Sequence, residues 1–111
     1  MRPIATSAGF HAHVFFDPTE QDRAERVAEG AAAACGVKPH AWTSGPAGPL
    51  PLPMFELHLD APQLGDTLAW LMTHRDGLSV LLHPETGDDL ADHTVHAAWL
   101  GPPHALRLDR L

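Results

Sequence analysis

The chain has 111 residues, enough for one domain with a buried core and too few for two, so residues 1–111 are interpreted as a single domain. Its formal charge is −7 with neutral histidines, and its seven basic residues form no cluster, so we expect no nucleic acid partner and no anionic membrane surface. No apolar run approaches the roughly 18 residues that span a bilayer, and residues 1–9 lack the apolar stretch of a signal peptide. A cytoplasmic location is therefore expected.

The first half of the chain predicts a strand, a helix and a second strand. Residues 10–16 (FHAHVFF) form the short aromatic and β-branched run that is typical of a strand. Residues 19–34 carry apolar side chains at helical spacing, and Gly36 is a natural residue to end the helix. Residues 37–43 predict a strand at the edge of the sheet, because Pro39 has no N–H to donate to a neighbour.

The second half predicts another strand, helix and strand. Residues 44–53 are a stiff connection rich in proline and glycine, and residues 54–60 alternate in the manner of a strand. Residues 61–75 form a second predicted helix, with Met72 among the apolar side chains of its stripe. Residues 78–83 predict the next strand.

The order β-α-β-β-α-β is that of the ferredoxin-like split βαβ fold. It predicts an α+β protein with one antiparallel sheet and both helices on the same face. Something must cover the other face, and because a second copy of the sheet is the usual cover, a homodimer is expected. Residues 88–99 are interpreted as a short helix or an irregular segment, and the tail at 104–111 as a final short strand.

Nine histidines spread along the chain are its unusual feature, and several lie in the predicted strands. Strand side chains alternate between the two faces of a sheet, and the apolar set of each strand should pack on the helices. In a split βαβ sheet the first strand lies between the third and the fourth. The polar side chains that should gather on the open face are His11, His13, Glu56, His58 and His83.

These side chains suit a metal site. Histidines two apart on a strand point the same way, about 6–7 Å apart at the backbone, and make a good ligand pair. A third histidine and a carboxylate from the neighbouring strands would complete the site, and two or three histidines with a carboxylate suit Fe(II), Zn(II) or a similar divalent metal. A His-x-His pair on a strand is more often an ordinary surface feature. The convergence of three histidines makes the two interpretations comparable.

A second group of polar residues follows the fourth predicted strand. His93 and His96 are three residues apart, which places them on one face if the segment is helical. They are candidates for proton transfer or for holding a substrate, although a solvent-exposed His93 explains the spacing equally well. Ligating imidazoles also need acceptors for their second N–H, and three carboxylates are candidates: Asp88, Asp89 and Asp92.

Four segments resemble the DOPA 4,5-dioxygenase family: HAHVFFD, GPLPLPMF, WLMTHRDGLSVLLHP and HPETGDDLADHTVHAAWLG. The similarity runs over about residues 11–101. The resemblance implies a ferredoxin-like fold, dimerisation and a metal-dependent extradiol cleavage of DOPA or a related catechol by O2.

The resemblance also implies roles by position. His11 and His13 match the family's His-x-His strand, His83 matches its His-Pro, and His93 and His96 match its Asp-His-x-x-His segment. On this hypothesis the first three hold a divalent metal, Fe(II) in the active enzyme and Zn(II) as an alternative in purified protein, and Glu56 is a candidate fourth ligand. His93 and His96 are then the candidate catalytic residues that take and return the catechol proton.

One position departs from the family pattern. The family usually has Gly-Pro-His-Pro where this chain has a leucine, Leu50, which cannot bind metal or transfer a proton. His58 is unusual for the family and could compensate from the neighbouring strand, or be incidental. The departure makes a non-catalytic dimer that binds metal or a small molecule the alternative function.

Overall fold

The computed structural model describes residues 9–111. The interpretation of residues 1–9 as lacking a signal peptide lies outside the described residues, apart from Gly9. In the described part, strands and helices follow one another along the chain as β1 Phe10–Phe15, α1 Gln21–Cys35, β2 Pro39–Thr43, β3 Met54–Leu59, α2 Ala61–His74, β4 Val80–Pro84, α3 Asp89–Asp92 and β5 Ala98–Leu100.

The strands form one antiparallel sheet in the order β2-β3-β1-β4-β5. The α+β class and the split βαβ order predicted from the sequence are confirmed, with β1 between β3 and β4. The final strand lies at Ala98–Leu100 beside β4, so the strand predicted at 104–111 is wrong. The tail instead bonds to the connection between β2 and β3, where Arg107 N donates to Pro49 O at 2.8 Å, and it ends in a 3₁₀ turn at Leu108–Arg110.

Local hydrogen bonds fix where the second long helix begins. The Asp60 carboxylate accepts from Gln63 N at 2.8 Å, and the Gln63 side chain accepts from Asp60 N at 3.0 Å. This reciprocal pair satisfies N–H groups that the first turn leaves without helical partners. Within residues 9–111 no helix combines the length and apolarity required to cross a membrane.

The main core lies between the sheet and the two long helices. The inward side chains of the strands, among them Val14, Phe55 and Val80, are fully buried there, as alternation predicted. Met72 was expected in the apolar stripe of α2, but it is 58% exposed. Because successive helical residues are turned by about 100°, the neighbour of buried Leu71 points outward, and Thr67 takes the stripe position four residues earlier.

A smaller apolar cluster covers half of the opposite face. The 44–53 connection and the segment after β4 pack there, and Arg107 Nη2 donates to Gly48 O at 2.7 Å. The cluster contains Phe15, Leu50, Met54 and Leu81, with Leu52, Ala97, Trp99 and Leu106 against it. The chain itself therefore provides part of the cover for which a second copy was expected, and the dimer stays a prediction. The other half of this face carries the histidines.

Candidate metal centre

Imidazoles form a row across the half of this sheet face that lies beside the smaller apolar cluster. Strand pairing sets His11 of β1 opposite His58 of β3 and His83 of β4. His40 of β2 extends the row at one end, and His93, directly after α3, extends it at the other. From His40 to His93 the centroids of neighbouring rings are 3.8, 4.1, 5.3 and 4.4 Å apart.

Three histidines form an inner triad: His11, His13 and His83. Each offers one ring nitrogen, and these nitrogens all lie within 4.8 Å of one another. The side chains of His13 and His83 are 4% and 1% exposed, and their Nε2 atoms face each other at 2.9 Å. The structure thus brings together the three histidines that alternation placed on one face. Their role as ligands remains a prediction.

The lowered pKa values of His11 and His13 favour the binding of a metal cation. Burial, followed by the electrostatic interaction with His83, lowers the pKa of His13 to about 2. Burial also lowers the pKa of His11, although the carboxylates of Glu56 and Glu85 act in the opposite direction. Neutral imidazoles with lone pairs are the state that a divalent metal requires.

Neighbouring groups orient these rings. His83 Nδ1 donates to the carbonyl oxygen of Pro84 at 2.9 Å, so the neutral ring carries its lone pair on Nε2, which faces His13. Glu56 Oε1 lies 3.5 Å from His11 Nδ1 and 3.3 Å from His13 Nδ1. His13 Nδ1 has no hydrogen-bond partner among the described residues, so Glu56 acts on this ring through its charge, and the Nε2 atoms of His13 and His83 are the ones that face each other. The donor set therefore fits a divalent transition metal such as Fe(II) or Zn(II).

The carboxylates predicted to orient the ligands serve other purposes. Asp92 is buried and accepts from Thr86 N at 2.9 Å and from Thr86 Oγ1 at 2.6 Å, which holds the turn after β4. Asp88 caps α3 by accepting from Ala91 N. Sequence reasoning missed Glu85, whose Oε1 is 3.2 Å from His11 Nδ1. Its place directly after His83 and Pro84, at the end of the strand, was the available signal.

The two candidate catalytic histidines separate. His93 is partly buried beside His83, and its Nδ1 donates to Asp89 O at 2.7 Å. Because α3 ends at Asp92, the helical spacing that would have kept His96 on the same face does not apply. His96 is exposed and is not among the residues that line the cavity over the inner triad.

An open cavity of about 210 Å³ lies over the inner triad. Leu50 forms part of its wall and is 6% exposed, so the position that departs from the family pattern does face the site. His58 lies outside this cavity and lines a smaller pocket beside Phe10 and His11. The lining residues are His11, His13, Pro49, Leu50, Glu56, His83, Glu85, Asp89, His93, Arg110 and Leu111.

The fold and the site define a small α+β protein with a histidine-rich candidate metal centre on one half of its sheet. Residues 10–110 match the model of the Dopa 4,5-dioxygenase family. The chain belongs to that family, as the sequence resemblance indicated.

Individual relatives agree with the family assignment. A crystal structure of a candidate dioxygenase from Nostoc punctiforme has a TM-score of 0.90 and 41% identity, over 98% of this chain and 94% of that one. The DOPA 4,5-dioxygenase of Amanita muscaria is 35% identical over 66 residues, which are 60% of this chain and 29% of that protein. An uncharacterised 21.2 kDa protein of Botryotinia fuckeliana is 42% identical over 64 residues, 50% of this chain and 35% of that protein. The chain thus matches about a third of the length of these two curated relatives.

Proposed function

We propose that this protein is a metal-dependent dioxygenase that opens the ring of DOPA or a related catechol by extradiol cleavage. The observation that carries the proposal is the convergence of ring nitrogens of His11, His13 and His83 within 4.8 Å of one another beside an open cavity. Membership of the Dopa 4,5-dioxygenase family supports it. When bound, a divalent metal, Fe(II) in the active form, gives both catechol oxygens and O2 a common binding place.

The inner triad would hold that ion through its ring nitrogens, and the neighbouring oxygens would hold the rings in place. Pro84 O fixes the tautomer of His83, which the 2.9 Å contact supports. Glu56 is the predicted fourth ligand; its Oε1 lies near His11 Nδ1 and His13 Nδ1 without a hydrogen bond to His13 Nδ1, so its other role is that of an electrostatic partner of these rings. In either role Glu56 places negative charge beside the site.

His93 is the residue to which we assign proton transfer. Its Nδ1–H is engaged by Asp89 O, so the neutral ring has a lone pair on Nε2 with which to accept the proton of a catechol hydroxyl. Its ring lies 4.4 Å from the ring of His83 and lines the cavity. His96 shares the family motif but is exposed, which makes it the weaker candidate.

The cavity favours a small substrate. Its volume of about 210 Å³ is below the roughly 300–1,000 Å³ of pockets for drug-sized ligands. Leu50 gives one wall an apolar surface against which an aromatic ring can pack. A single aromatic ring with short substituents suits these dimensions.

The direct test begins with anaerobic Fe(II) loading, followed by oxygenated buffer and a panel that contains L-DOPA, catechol and carboxylated catechols. We expect oxygen uptake and a ring-opened product that carries both atoms of labelled O2. The matched controls are metal-free protein and His83→Asn (H83N), which removes one inner ligand while it preserves a polar side chain of similar reach. If no catechol of the panel is cleaved, the enzymatic proposal fails.

The alternative function is a non-catalytic dimer that binds metal or a small molecule. Leu50 favours it, because the cavity wall lacks the imidazole that the family usually has there. Tight metal binding without oxygen uptake would select this alternative.

Sedimentation would test the predicted homodimer. At micromolar concentration we expect a species of twice the 12.0 kDa chain mass. The single-domain organisation and the cytoplasmic location remain predictions from the sequence.

A further inference from the structure

A second group of potential ligands, which we call the outer triad, lies on the other side of His11 from His13 and His83 of the inner triad. It consists of His11, Glu56 and His58, whose ligand atoms all lie within 4.8 Å of one another. The rings of His11 and His58 are stacked, with centroids 4.1 Å apart and planes inclined by 6°. His58 Nε2 is 2.6 Å from Glu56 Oε2. The outer triad shares only His11 with the inner triad.

The two oxygens of Glu56 divide between the two groups. Oε1 faces the Nδ1 atoms of His11 and His13, whereas Oε2 faces His58. The carboxylate can therefore orient inner rings with one oxygen and contribute the other to a second site. Two imidazoles and one carboxylate form a donor set that suits divalent transition metals.

A neighbouring ring nitrogen adds to the case for a ligand here. The ring of His40 lies 3.8 Å from the ring of His58, and His40 Nε2 is buried without a hydrogen-bond partner among the described residues. Buried polar atoms normally have partners, so an orphaned ring nitrogen beside the outer triad calls for an explanation. A cation held beside it would provide electrostatic compensation for its lone pair.

The two triads differ in their access to solvent. The side chain of His58 is 49% exposed and that of Glu56 is 14% exposed, whereas His13 and His83 of the inner triad are almost completely buried. An ion that approaches from solvent would take the place of the proton shared by His58 Nε2 and Glu56 Oε2. More solvent at the outer triad also weakens its hold on an ion relative to the inner triad.

We propose that the outer triad is a separate divalent-cation site, able to bind a borderline ion such as Zn(II), Co(II) or Ni(II) when the inner triad is disabled. Its His58 ligand lies outside the cavity assigned to catalysis. The proposal concerns ion binding alone and does not require ring cleavage.

The experiment uses untagged, metal-free full-length protein and Co(II) as the probe, measured by equilibrium dialysis and visible absorption. H83N disables the inner triad and leaves every atom of the outer triad in place. We expect H83N to retain one Co(II) ion per chain, and the double variant His83→Asn with His58→Ala to lose it. The matched control combines H83N with His74→Ala, since His74 is an exposed histidine on α2 outside both triads. This control should bind as H83N does.

Several results would overturn the proposal. The proposal fails if H83N binds no Co(II). It also fails if the double variant of His83→Asn and His58→Ala still binds Co(II). If wild-type protein binds one ion that H83N loses, the outer site fails while the inner site stands. If wild-type protein binds none, both fail. Thermal unfolding checks that each variant folds, and His13→Gln replaces H83N as the disabling change if H83N does not unfold cooperatively.

Discussion

Acid should destabilise the metal-free protein through His13. The unfolded chain takes up a proton near the ordinary pKa of 6.5, whereas burial and neighbouring imidazoles lower the folded pKa of His13 to about 2. Below pH 6.5 the unfolded state therefore binds more protons than the folded state, and stability falls as the pH falls. Each pH unit in this window removes about 1.4 kcal/mol, so the change from pH 6.5 to pH 5 removes about 2 kcal/mol. His11, whose pKa is also lowered, acts in the same direction.

Urea unfolding of chelator-treated protein at a series of pH values between 7 and 5 measures this loss. The matched variant is His13→Gln, which keeps a polar side chain but cannot titrate in this range, and its unfolding free energy should vary much less with pH. A wild-type stability that stays constant down to pH 5 would refute the reasoning, as would an equal pH dependence in the variant. Added Zn(II) should steepen the wild-type dependence, because the ion binds only neutral imidazoles.

Three further changes test other parts of the site. Glu56→Gln should lower the metal affinity, measured in competition with a chelator, by about 10–100-fold, because the carboxylate beside the ligand rings is lost. An affinity equal to that of the wild type would show that Glu56 does not act on the rings of the inner triad. Leu50→His adds an imidazole to the cavity wall and should raise kcat for catechol cleavage by up to about 100-fold, the lower range for a placed acid or base, whereas Leu50→Ala should not. Arg110 is the one arginine among the described residues that line the cavity. Arg110→Gln should therefore raise KM for carboxylated catechols by up to about tenfold and leave KM for catechol unchanged. Equal effects on both substrates would count against a contact between Arg110 and the substrate carboxylate.

Regular periodicity explains what the sequence could predict. A period of two on the strands assigned His11 and His13 to the open face and Val14 to the core. The split βαβ order then brought His58 and His83 beside His11, since each strand has a fixed neighbour in that topology. The gathering of these histidines on one face of the sheet follows from these two rules, whereas the choice of His11, His13 and His83 as ligands came with the family resemblance.

The irregular segments explain what the sequence could not predict. The 44–53 connection and the tail have no periodicity, so neither the position of Leu50 in the cavity wall nor that of Arg110 follows from a pattern. The hydrogen bond from Arg107 N to Pro49 O, which joins these segments, is a tertiary contact between distant positions. The exposure of His96 depends on where α3 ends, and helix boundaries are poorly encoded by local sequence.

The most direct test of the metal centre is anomalous diffraction from crystals of the wild-type protein loaded with Co(II) or Fe(II) and measured at the absorption edge of the metal. The account predicts an anomalous peak about 2.0–2.2 Å from Nε2 of both His13 and His83, and at a similar distance from a ring nitrogen of His11. Metal-loaded crystals in which those rings still contact only protein atoms, with no peak between them, would contradict it.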